Sequence, residues 1–376
     1  MSQSFNWQRY SLTDIPFVDV PAINVSVKDP RINGQLFCEE VVQAEFAKLM
    51  RLISTAPSVV YLNSAETVLG AGKSALMAAA YWKIKDQKKV ALWAEATGGL
   101  SASTTLGRVI DGMVAEGLLD ELRQAIGTVD YQSIHDRLTS AYSRPLPTMV
   151  GALQKILQIP AEDKAKKFAN IRRSIQVSTP IELFGYLIAL LGSVGLHHPF
   201  IFIDQFEEYV QSHFGRAMLS RLGGDVNDLL RACGQQATLI LSLHPEAENT
   251  LMSAAGQYVR TFAPISEATT VTLQRLSPPQ SVIFTRFYLD KFRTENYTED
   301  PLRPFTEEVV RYIGLVTRGV PRDLIIALRR ALIEGALQGY VPLNEDFIEN
   351  DKNHGQVLLD SPNLWSTYKQ GKMITS

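Results

Sequence analysis

The sequence predicts an α/β protein, in which a parallel sheet covered by helices is followed by a C-terminal all-helical unit. Short apolar runs alternate with helical patterns up to about residue 270, an order typical of parallel sheets. The run Phe200–Ile203 is apolar at every position, as expected of a strand buried on both faces. From Leu276 onward the chain reads as helices separated by proline- and glycine-marked turns, which predicts the helical unit.

Bulk composition bounds the size and the partners of the protein. The chain has 376 residues and is 45% hydrophobic, enough for a large core and for two compact units. Its net charge is −2 and its pI is about 6.3, so no overall positive field attracts nucleic acid or an anionic membrane. Any contact with DNA must therefore be local.

Three features predict a cytoplasmic protein that does not enter a membrane. The two cysteines, Cys38 and Cys233, fit no metal-binding spacing and suggest a reducing compartment. The first residues lack the regions of a signal peptide. The apolar stretch 181–196 carries Glu182 and is shorter than the roughly 20 residues of a spanning helix, so we expect a core helix there.

Changes in pattern along the chain predict four segments. They are an extended N-terminal arm at 1–38, an α/β core at 39–272, a helical lid at 273–340 and a polar tail at 341–376. Within the core, residues from about 128 to 176 fit the strand–helix order poorly and are interpreted as a helical insertion. The predicted strands lie at 59–62, 89–96, 200–203 and 237–243, and the predicted helices of the core at 39–54, 75–82, 104–126, 180–191 and 216–233.

The stretch between the first strand and its helix has the chemistry of a phosphate-binding loop. Its residues, with the first of the helix, are Gly70, Ala71, Gly72, Lys73, Ser74 and Ala75. A loop that leads into a helix N-terminus directs backbone N–H groups and partial positive charge at one point, which suits a phosphate chain. The glycines allow close approach of the backbone, Lys73 can reach the β and γ oxygens, and the Ser74 hydroxyl can ligate Mg²⁺.

This stretch resembles the P-loop, or Walker A motif, of nucleoside triphosphatases. The motif GxxxxGK[ST] has its first glycine where this chain has Thr67, and about two extra residues lie between strand and loop. The resemblance implies a P-loop NTPase fold that binds ATP and Mg²⁺, with Lys73 also taking part in catalysis. A glycine-rich helix start without function is the alternative.

The strand 200–203 ends in Asp204, followed by Gln205, Phe206, Glu207 and Glu208. A carboxylate at the carboxyl end of a neighbouring parallel strand can hold Mg²⁺ through water, and Glu207 or Glu208 could orient or deprotonate the attacking water. The sequence DQFEE resembles the Walker B form hhhhDxxEE of STAND ATPases and related AAA+-like proteins. Gln205 occupies the place of the usual AAA+ catalytic glutamate, so hydrolysis could be slow. The alternative is an acidic helix start stabilised by the dipole.

Two further motifs resemble the sensors of AAA+ proteins. Ser242 and His244 are polar residues at the end of an apolar strand. In AAA+ proteins a polar residue at this place, called sensor 1, contacts the γ-phosphate or the attacking water. The alternative for each residue is a capping role in the turn before Pro245. The sequence Gly319-Val320-Pro321-Arg322 resembles the GxPR sensor 2 motif of Orc/Cdc6-like and STAND proteins. Arg322 would then reach the nucleotide, although a solvated arginine is the alternative.

Assembly is implied by the same resemblance, which covers about residues 40 to 340. Proteins of the AAA+ type usually assemble, and an arginine of one subunit completes the next subunit's site. Arg260 is the candidate finger, and Arg216 and Arg221 compete with it. The insertion also holds a local group of basic residues, which could meet a phosphate backbone or form a solvated helix face: Lys164, Lys166, Lys167, Arg172 and Arg173.

Two functions follow from the resemblance to AAA+/STAND-type ATPases with an Orc/Cdc6-like core. The first is an ATP-binding and ATP-hydrolysing protein whose nucleotide state controls assembly with partner proteins, with DNA as a further partner. The second is a STAND-like switch or scaffold with slow or no hydrolysis that acts through partner proteins in a defence or signalling system. The partners implied are ATP and either further copies of this chain or other proteins.

Overall fold

The computed structural model describes residues 7–18, 22–55, 59–65, 70–96, 198–207, 237–252, 268–295 and 297–350, with single positions at 266 and between 108 and 191. The chain divides into two compact units. The helical unit consists of Met1–Phe46, Val68–Ala75 and Leu273–Ser376, and the sheet unit of Ala47–Thr67 and Leu76–Thr272.

The strands form one five-stranded sheet. They are β1 (Val59–Ser64), β2 (Ala91–Glu95), β3 (Phe200–Asp204), β4 (Thr238–Ser242) and β5 (Thr270–Leu273). Their order is β2-β3-β4-β1-β5, and β2–β3, β3–β4 and β4–β1 pair in parallel. Every residue of β1, β3 and β4 is buried, as expected of central parallel strands. The predicted α/β class with a parallel sheet is confirmed.

The strand order corrects one expectation. The strand that ends in Asp204 was expected beside β1, but β4 lies between β1 and β3. The register places Leu62 of β1 beside Ser242 of β4 and Glu95 of β2 beside Asp204. Because the paired strands run in parallel, their carboxyl ends still share one edge of the sheet. Strand β5 was not predicted from the sequence.

Helices account for most of the remaining described residues. They are α1 (Pro30–Asn33), α2 (Gln43–Ser54), α3 (Lys73–Asp86), α4 (Pro245–Met252), α5 (Pro278–Lys291), α6 (Glu307–Val316), α7 (Pro321–Gln338) and α8 (Glu345–Asn350). The three helices predicted after Leu276 are confirmed as α5, α6 and α7. The predicted tail is not irregular throughout, because α8 lies within it and buries Phe347 and Ile348.

The helical unit packs residues from both ends of the chain into one apolar core. Tyr10, Leu12 and Phe17 are fully buried and belong to the same hydrophobic cluster as α5 to α8. Helix α5 starts with a capping box. The Ser277 side chain accepts a hydrogen bond from the Gln280 N–H, and the Gln280 side chain accepts one from the Ser277 N–H. The N-terminal residues are thus part of this core.

Within the described residues, no helix is long and apolar enough to cross a membrane. The predicted insertion at 128–176, Cys233 and the part of the predicted tail from residue 351 on lie outside the described residues.

Candidate functional site

The predicted phosphate loop is formed by Gly70–Gly72 and the first turn of α3. Gly70 and Gly72 have φ angles of +86° and +92°, a left-handed conformation that glycine adopts without strain. Helix α3 begins directly afterwards at Lys73, which is 8% exposed. The first N–H groups of a helix have no partner inside it, so this turn presents donors and a positive dipole end that fit a phosphate chain.

The loop lies against the start of α7 inside the helical unit. The Arg322 N–H donates to the Gly70 carbonyl oxygen at 3.3 Å. A Cβ added to Gly70 would lie 2.6 Å from the Arg322 Cβ, and one added to Gly72 would lie 3.9 Å from the Pro321 Cγ. Position 70 therefore requires glycine both for its φ angle and for the closeness of Arg322.

The GxPR motif places Arg322 at this contact. Gly319 follows α6, its N–H donates to the Gly314 oxygen, and its own oxygen accepts the Leu276 N–H at 2.9 Å. Pro321 is the first residue of α7, a position where proline costs no hydrogen bond. Burial raises the pKa of the neighbouring Asp323, while Arg322 opposes the shift. The structure thus brings the backbone and the side-chain stem of Arg322 to the phosphate loop.

A second candidate segment is the acidic turn Asp204–Glu207 at the carboxyl end of β3, in the sheet unit. Asp204 is 2% exposed, and its Oδ1 accepts the Gln205 N–H at 2.9 Å. Gln205 has a φ angle of +56°, which is uncommon for a residue with a side chain. Its Oε1 is buried without a hydrogen-bond partner among the described residues.

Ser242 of β4 holds this turn through two hydrogen bonds. Its hydroxyl donates to Glu207 Oε2 at 2.7 Å and accepts the Phe206 N–H at 3.2 Å. Both Ser242 and Glu207 are buried, and buried polar groups of this kind are costly to leave unpaired. The candidate sensor and one candidate catalytic carboxylate are therefore in direct contact.

His244 is bonded to the start of α4. Its Nδ1 accepts the N–H groups of Glu246 at 3.1 Å and Ala247 at 3.3 Å, which is the geometry of a helix N-cap. This is the capping role that the sequence left open as the alternative, and the sensor role of His244 stays a prediction.

One polar pair at the same sheet edge was missed from the sequence. Asn63, near the end of β1, is 5% exposed, and its amide donates to Glu248 of α4. Its Oδ1 accepts the Ser64 N–H at 2.8 Å. The signal in the sequence is a polar amide directly after four apolar strand residues.

The predicted magnesium ligands are oxygen donors of the kind that Mg²⁺ takes. Ser74 is the second residue of α3 and Asp204 the last of β3, and they belong to different units. Among the described residues there is no group of three or more His, Cys, Asp or Glu side chains that could hold a metal by itself. Mg²⁺ usually takes one or two protein ligands together with substrate phosphates and waters, and each of these two oxygen donors is of that kind.

Several predicted residues lie outside the described residues. They are Thr67, Glu208, the candidate finger Arg260 and its competitors Arg216 and Arg221. Their roles stay predictions.

Comparison with known proteins gives a distant likeness. No family model and no curated protein matches the chain. The chain is similar to the ORC2 protein of Aeropyrum pernix in its ADPNP-ADP complexes, with 14% identity, 92% of this chain and 71% of that chain covered, and a TM-score of 0.49. It is also similar to Cdc6p of Pyrobaculum aerophilum, with 11% identity, 79% and 62% covered, and a TM-score of 0.45. A third similar structure is the Walker-type ATPase PABY2304 of Pyrococcus abyssi, with 12% identity, 87% and 75% covered, and a TM-score of 0.45.

Two of these three structures are Orc and Cdc6 proteins, the group that the motifs of this chain resemble. At such identities and TM-scores the likeness carries no argument about function.

Proposed function

We propose that this chain is an ATP-binding and ATP-hydrolysing AAA+-like protein whose nucleotide state controls its assembly with partner proteins. One observation carries the proposal: the two left-handed glycines, Gly70 and Gly72, lead straight into the helix that begins with Lys73 and Ser74. Backbone N–H groups, a dipole end, an ammonium and a hydroxyl then follow one another within a few residues, which is what binding of a triphosphate with Mg²⁺ requires.

Hydrolysis would rest on the acidic turn. Asp204 is the candidate for the metal, and Glu207 for orienting or deprotonating the attacking water. The Ser242 hydroxyl fixes the Glu207 carboxylate and would limit the positions from which that carboxylate can act. Glu208 remains the other candidate base.

Assembly is the part of the proposal that rests most on the family resemblance. Arg260, or in its place Arg216 or Arg221, would complete the site of a neighbouring copy. An arginine that faces a γ-phosphate in this way raises turnover by about 10³ to 10⁵. Isolated copies would then hydrolyse ATP slowly, whether the assembly is a homo-oligomer or a complex with other proteins.

A STAND-like switch with slow or no hydrolysis is the second candidate. It is favoured by the acidic turn, in which Gln205 stands where AAA+ proteins carry their catalytic glutamate, while Glu207 Oε2 accepts a hydrogen bond from the Ser242 hydroxyl. Partner capture that needs ATP but not its hydrolysis would select this candidate. Salt-dependent binding of DNA would instead select an assembly that works on DNA.

The test is to measure MgATP binding, phosphate release and light scattering on the same samples of wild type, Lys73→Ala and Glu207→Gln. We expect Lys73→Ala to weaken MgATP binding by about 100-fold, since an ammonium that meets phosphate contributes charge-assisted hydrogen bonds. Glu207→Gln should bind MgATP normally and release phosphate at least about tenfold more slowly.

Lys83→Ala is the matched control, because Lys83 is exposed on the same helix. It should leave binding and assembly unchanged. Wild type that fails to bind ATP at millimolar concentration with Mg²⁺ would overturn the proposal and leave a scaffold with an ATPase-like loop.

A further inference from the structure

Helix α7 begins without a capping side chain of its own. Its N-cap residue is Val320, and no side chain at that position bonds to the helix. Helix α5, which also starts with proline, is capped by Ser277. Because the first N–H groups of a helix have no acceptor inside it, the start of α7 needs acceptors from elsewhere. The Gly70 carbonyl oxygen is one of them, since it accepts the Arg322 N–H at 3.3 Å.

The Arg322 N–H is held in place by the core of the helical unit. The next turn of α7 is bonded, with the Leu324 N–H donating to the Val320 oxygen at 2.9 Å, and Leu324 is fully buried. The turn before the helix is tied to the start of α5, because the Gly319 oxygen accepts the Leu276 N–H at 2.9 Å. The start of α7 is therefore a fixed donor for the loop that bonds to it.

The bond from Arg322 fixes the orientation of the peptide that joins Gly70 to Ala71. This peptide is trans, so its carbonyl and its N–H point in opposite directions within one plane. Because the Gly70 oxygen is directed at the Arg322 N–H, the Ala71 N–H is directed away from it. The two groups can turn only together.

Glycine on both sides of Ala71 leaves this peptide with little other constraint. Gly70 and Gly72 have φ angles of +86° and +92°, whereas the φ angle of Ala71 is negative. Such an alternation of φ directs successive N–H groups to one side, where they can bind an anion. Glycine adopts either sign of φ at little cost, so a contact from outside the loop is needed to select this arrangement. The bond from Arg322 is such a contact.

We propose that Arg322 is a positioning residue whose backbone N–H orients the Gly70–Ala71 peptide, so that the Ala71 N–H faces the phosphates of the nucleotide. This role is separate from the predicted contact of the Arg322 side chain with the γ-phosphate. The inference rests on the proposed function, because the anion concerned is a nucleotide. Backbone N–H groups of such loops hold the α- and β-phosphates, so the role applies to ADP and ATP alike.

Proline at position 322 removes the N–H and keeps the helix start. Arg322→Pro gives α7 two prolines at its beginning, the arrangement with which Pro278 and Pro279 open α5. Arg322→Ala is the matched control, because it removes the same side chain and keeps the N–H. Ala71→Pro removes the N–H that is expected to meet the phosphates. Combining Ala71→Pro with each variant of Arg322 completes a cycle of four proteins, for which the Kd values of MgADP and MgATP are measured.

We expect Arg322→Pro to bind MgADP and MgATP about tenfold more weakly than Arg322→Ala does. When Ala71→Pro is also present, the two variants of Arg322 should bind within about threefold of each other, because the N–H that Arg322 orients is already absent. A general weakening of α7 would instead lower affinity by the same factor in both pairs. Urea denaturation shows that each protein is folded.

Nuclear magnetic resonance observes the peptide itself in the nucleotide-free protein. Labelling with ¹³C-carbonyl glycine and ¹⁵N alanine selects the peptides Gly70–Ala71, Gly151–Ala152 and Gly335–Ala336. The signal that is missing in the Ala71→Pro variants identifies Gly70–Ala71. This signal should move further in Arg322→Pro than in Arg322→Ala, whereas the signal of Gly335–Ala336, within α7, should stay in place.

A second variant covers the case in which Arg322→Pro does not fold. Val320→Thr keeps the shape of the side chain and adds a hydroxyl at the N-cap, which competes with the Gly70 oxygen for the N–H of Arg322. It should move the Gly70–Ala71 signal and weaken MgADP binding by about threefold, without loss of stability.

Equal affinities of Arg322→Pro and Arg322→Ala would overturn the proposal, as would the same loss in the presence of Ala71→Pro. An unmoved Gly70–Ala71 signal in Arg322→Pro, or in Val320→Thr where that variant replaces it, would overturn it too. Wild type that binds neither nucleotide would refute the proposed function alone, since the signal still decides whether Arg322 orients this peptide.

Discussion

The phosphate loop and the acidic turn, two candidate parts that belong to different units, are held by different kinds of contact. In the helical unit the phosphate loop is fixed by backbone: left-handed glycines and the bond from the Arg322 N–H to the Gly70 oxygen. In the sheet unit the acidic turn is fixed by side chains, with the Ser242 hydroxyl bonded to Phe206 and Glu207. A segment held by its backbone is destabilised when a substitution adds atoms to it. A segment held by side chains is destabilised when a substitution removes a polar atom that makes a hydrogen bond. The two parts should therefore fail under opposite substitutions.

The largest expected effect is that of adding one methyl group to the backbone-held part. In Gly70→Ala the new Cβ meets the Arg322 Cβ in a backbone conformation that side chains disfavour. Strain and overpacking together should lower the free energy of unfolding by about 2–4 kcal/mol and abolish ATP binding. Chemical denaturation and ligand binding measure the two effects.

Gly117→Ala separates strain from steric contact. Gly117 has a φ angle of +75°, and no atom of the part of the chain that the structure describes lies within 4 Å of an added Cβ. This variant should lose only the conformational part, about 1–2 kcal/mol, and should bind ATP. Equal losses at both positions would refute the role of the Arg322 contact.

The second-largest effect is expected when a polar atom is removed from the side-chain-held part. Ser242→Ala removes two buried hydrogen bonds, one accepted from the Phe206 N–H and one donated to Glu207, which should lower the free energy of unfolding by about 1–3 kcal/mol. Ser242→Thr keeps the hydroxyl and should lose less. Urea denaturation measures stability, and phosphate release shows whether Glu207 still acts.

Ser281→Ala is a comparison within the helical unit. Ser281 is as buried as Ser242, but its hydroxyl donates to the Ser277 oxygen, which also accepts the Ser281 N–H. Its removal should therefore cost less than about 1 kcal/mol. A larger loss at Ser281 than at Ser242 would contradict the distinction between the two parts.

The smallest effect concerns the strained residue of the acidic turn. Gln205→Gly relieves a φ angle of +56° and should change the free energy of unfolding by only about 0–1 kcal/mol, toward higher stability. Lys88→Gly, at an exposed position with the same φ angle of 56°, measures the gain from the backbone alone. A marked loss of stability in Gln205→Gly but not in Lys88→Gly would show that the Gln205 side chain has an unrecognised structural partner.

The same difference explains what could be predicted from the sequence. The phosphate loop was found because its signal is local: Gly70, Gly72, Lys73 and Ser74 are adjacent and each has one physical role. The helices α5 to α7 were found because proline, glycine and apolar spacing mark them locally as well.

Contacts between strands that are distant in sequence are not indicated by any local sequence pattern. The bonds of Ser242 to Glu207 and of Asn63 to Glu248 depend on β4 lying between β1 and β3. In parallel sheets the connections are crossovers, so sequence order does not fix which strands are neighbours. The short strand β5 was missed because four residues carry too little pattern to distinguish a strand from a linker.

The N-terminal residues of the helical unit form hydrogen bonds with residues far along the chain. Arg9 donates to the Gly339 oxygen and Tyr10 to the Tyr340 oxygen, contacts that span 330 residues. On a ribosome that adds about 5–20 residues per second, the N-terminal segment waits roughly a quarter of a minute to a minute for these partners to emerge. The hydrophobic cluster that buries Tyr10, Leu12 and Phe17 extends to Ile348 and is therefore completed late in synthesis.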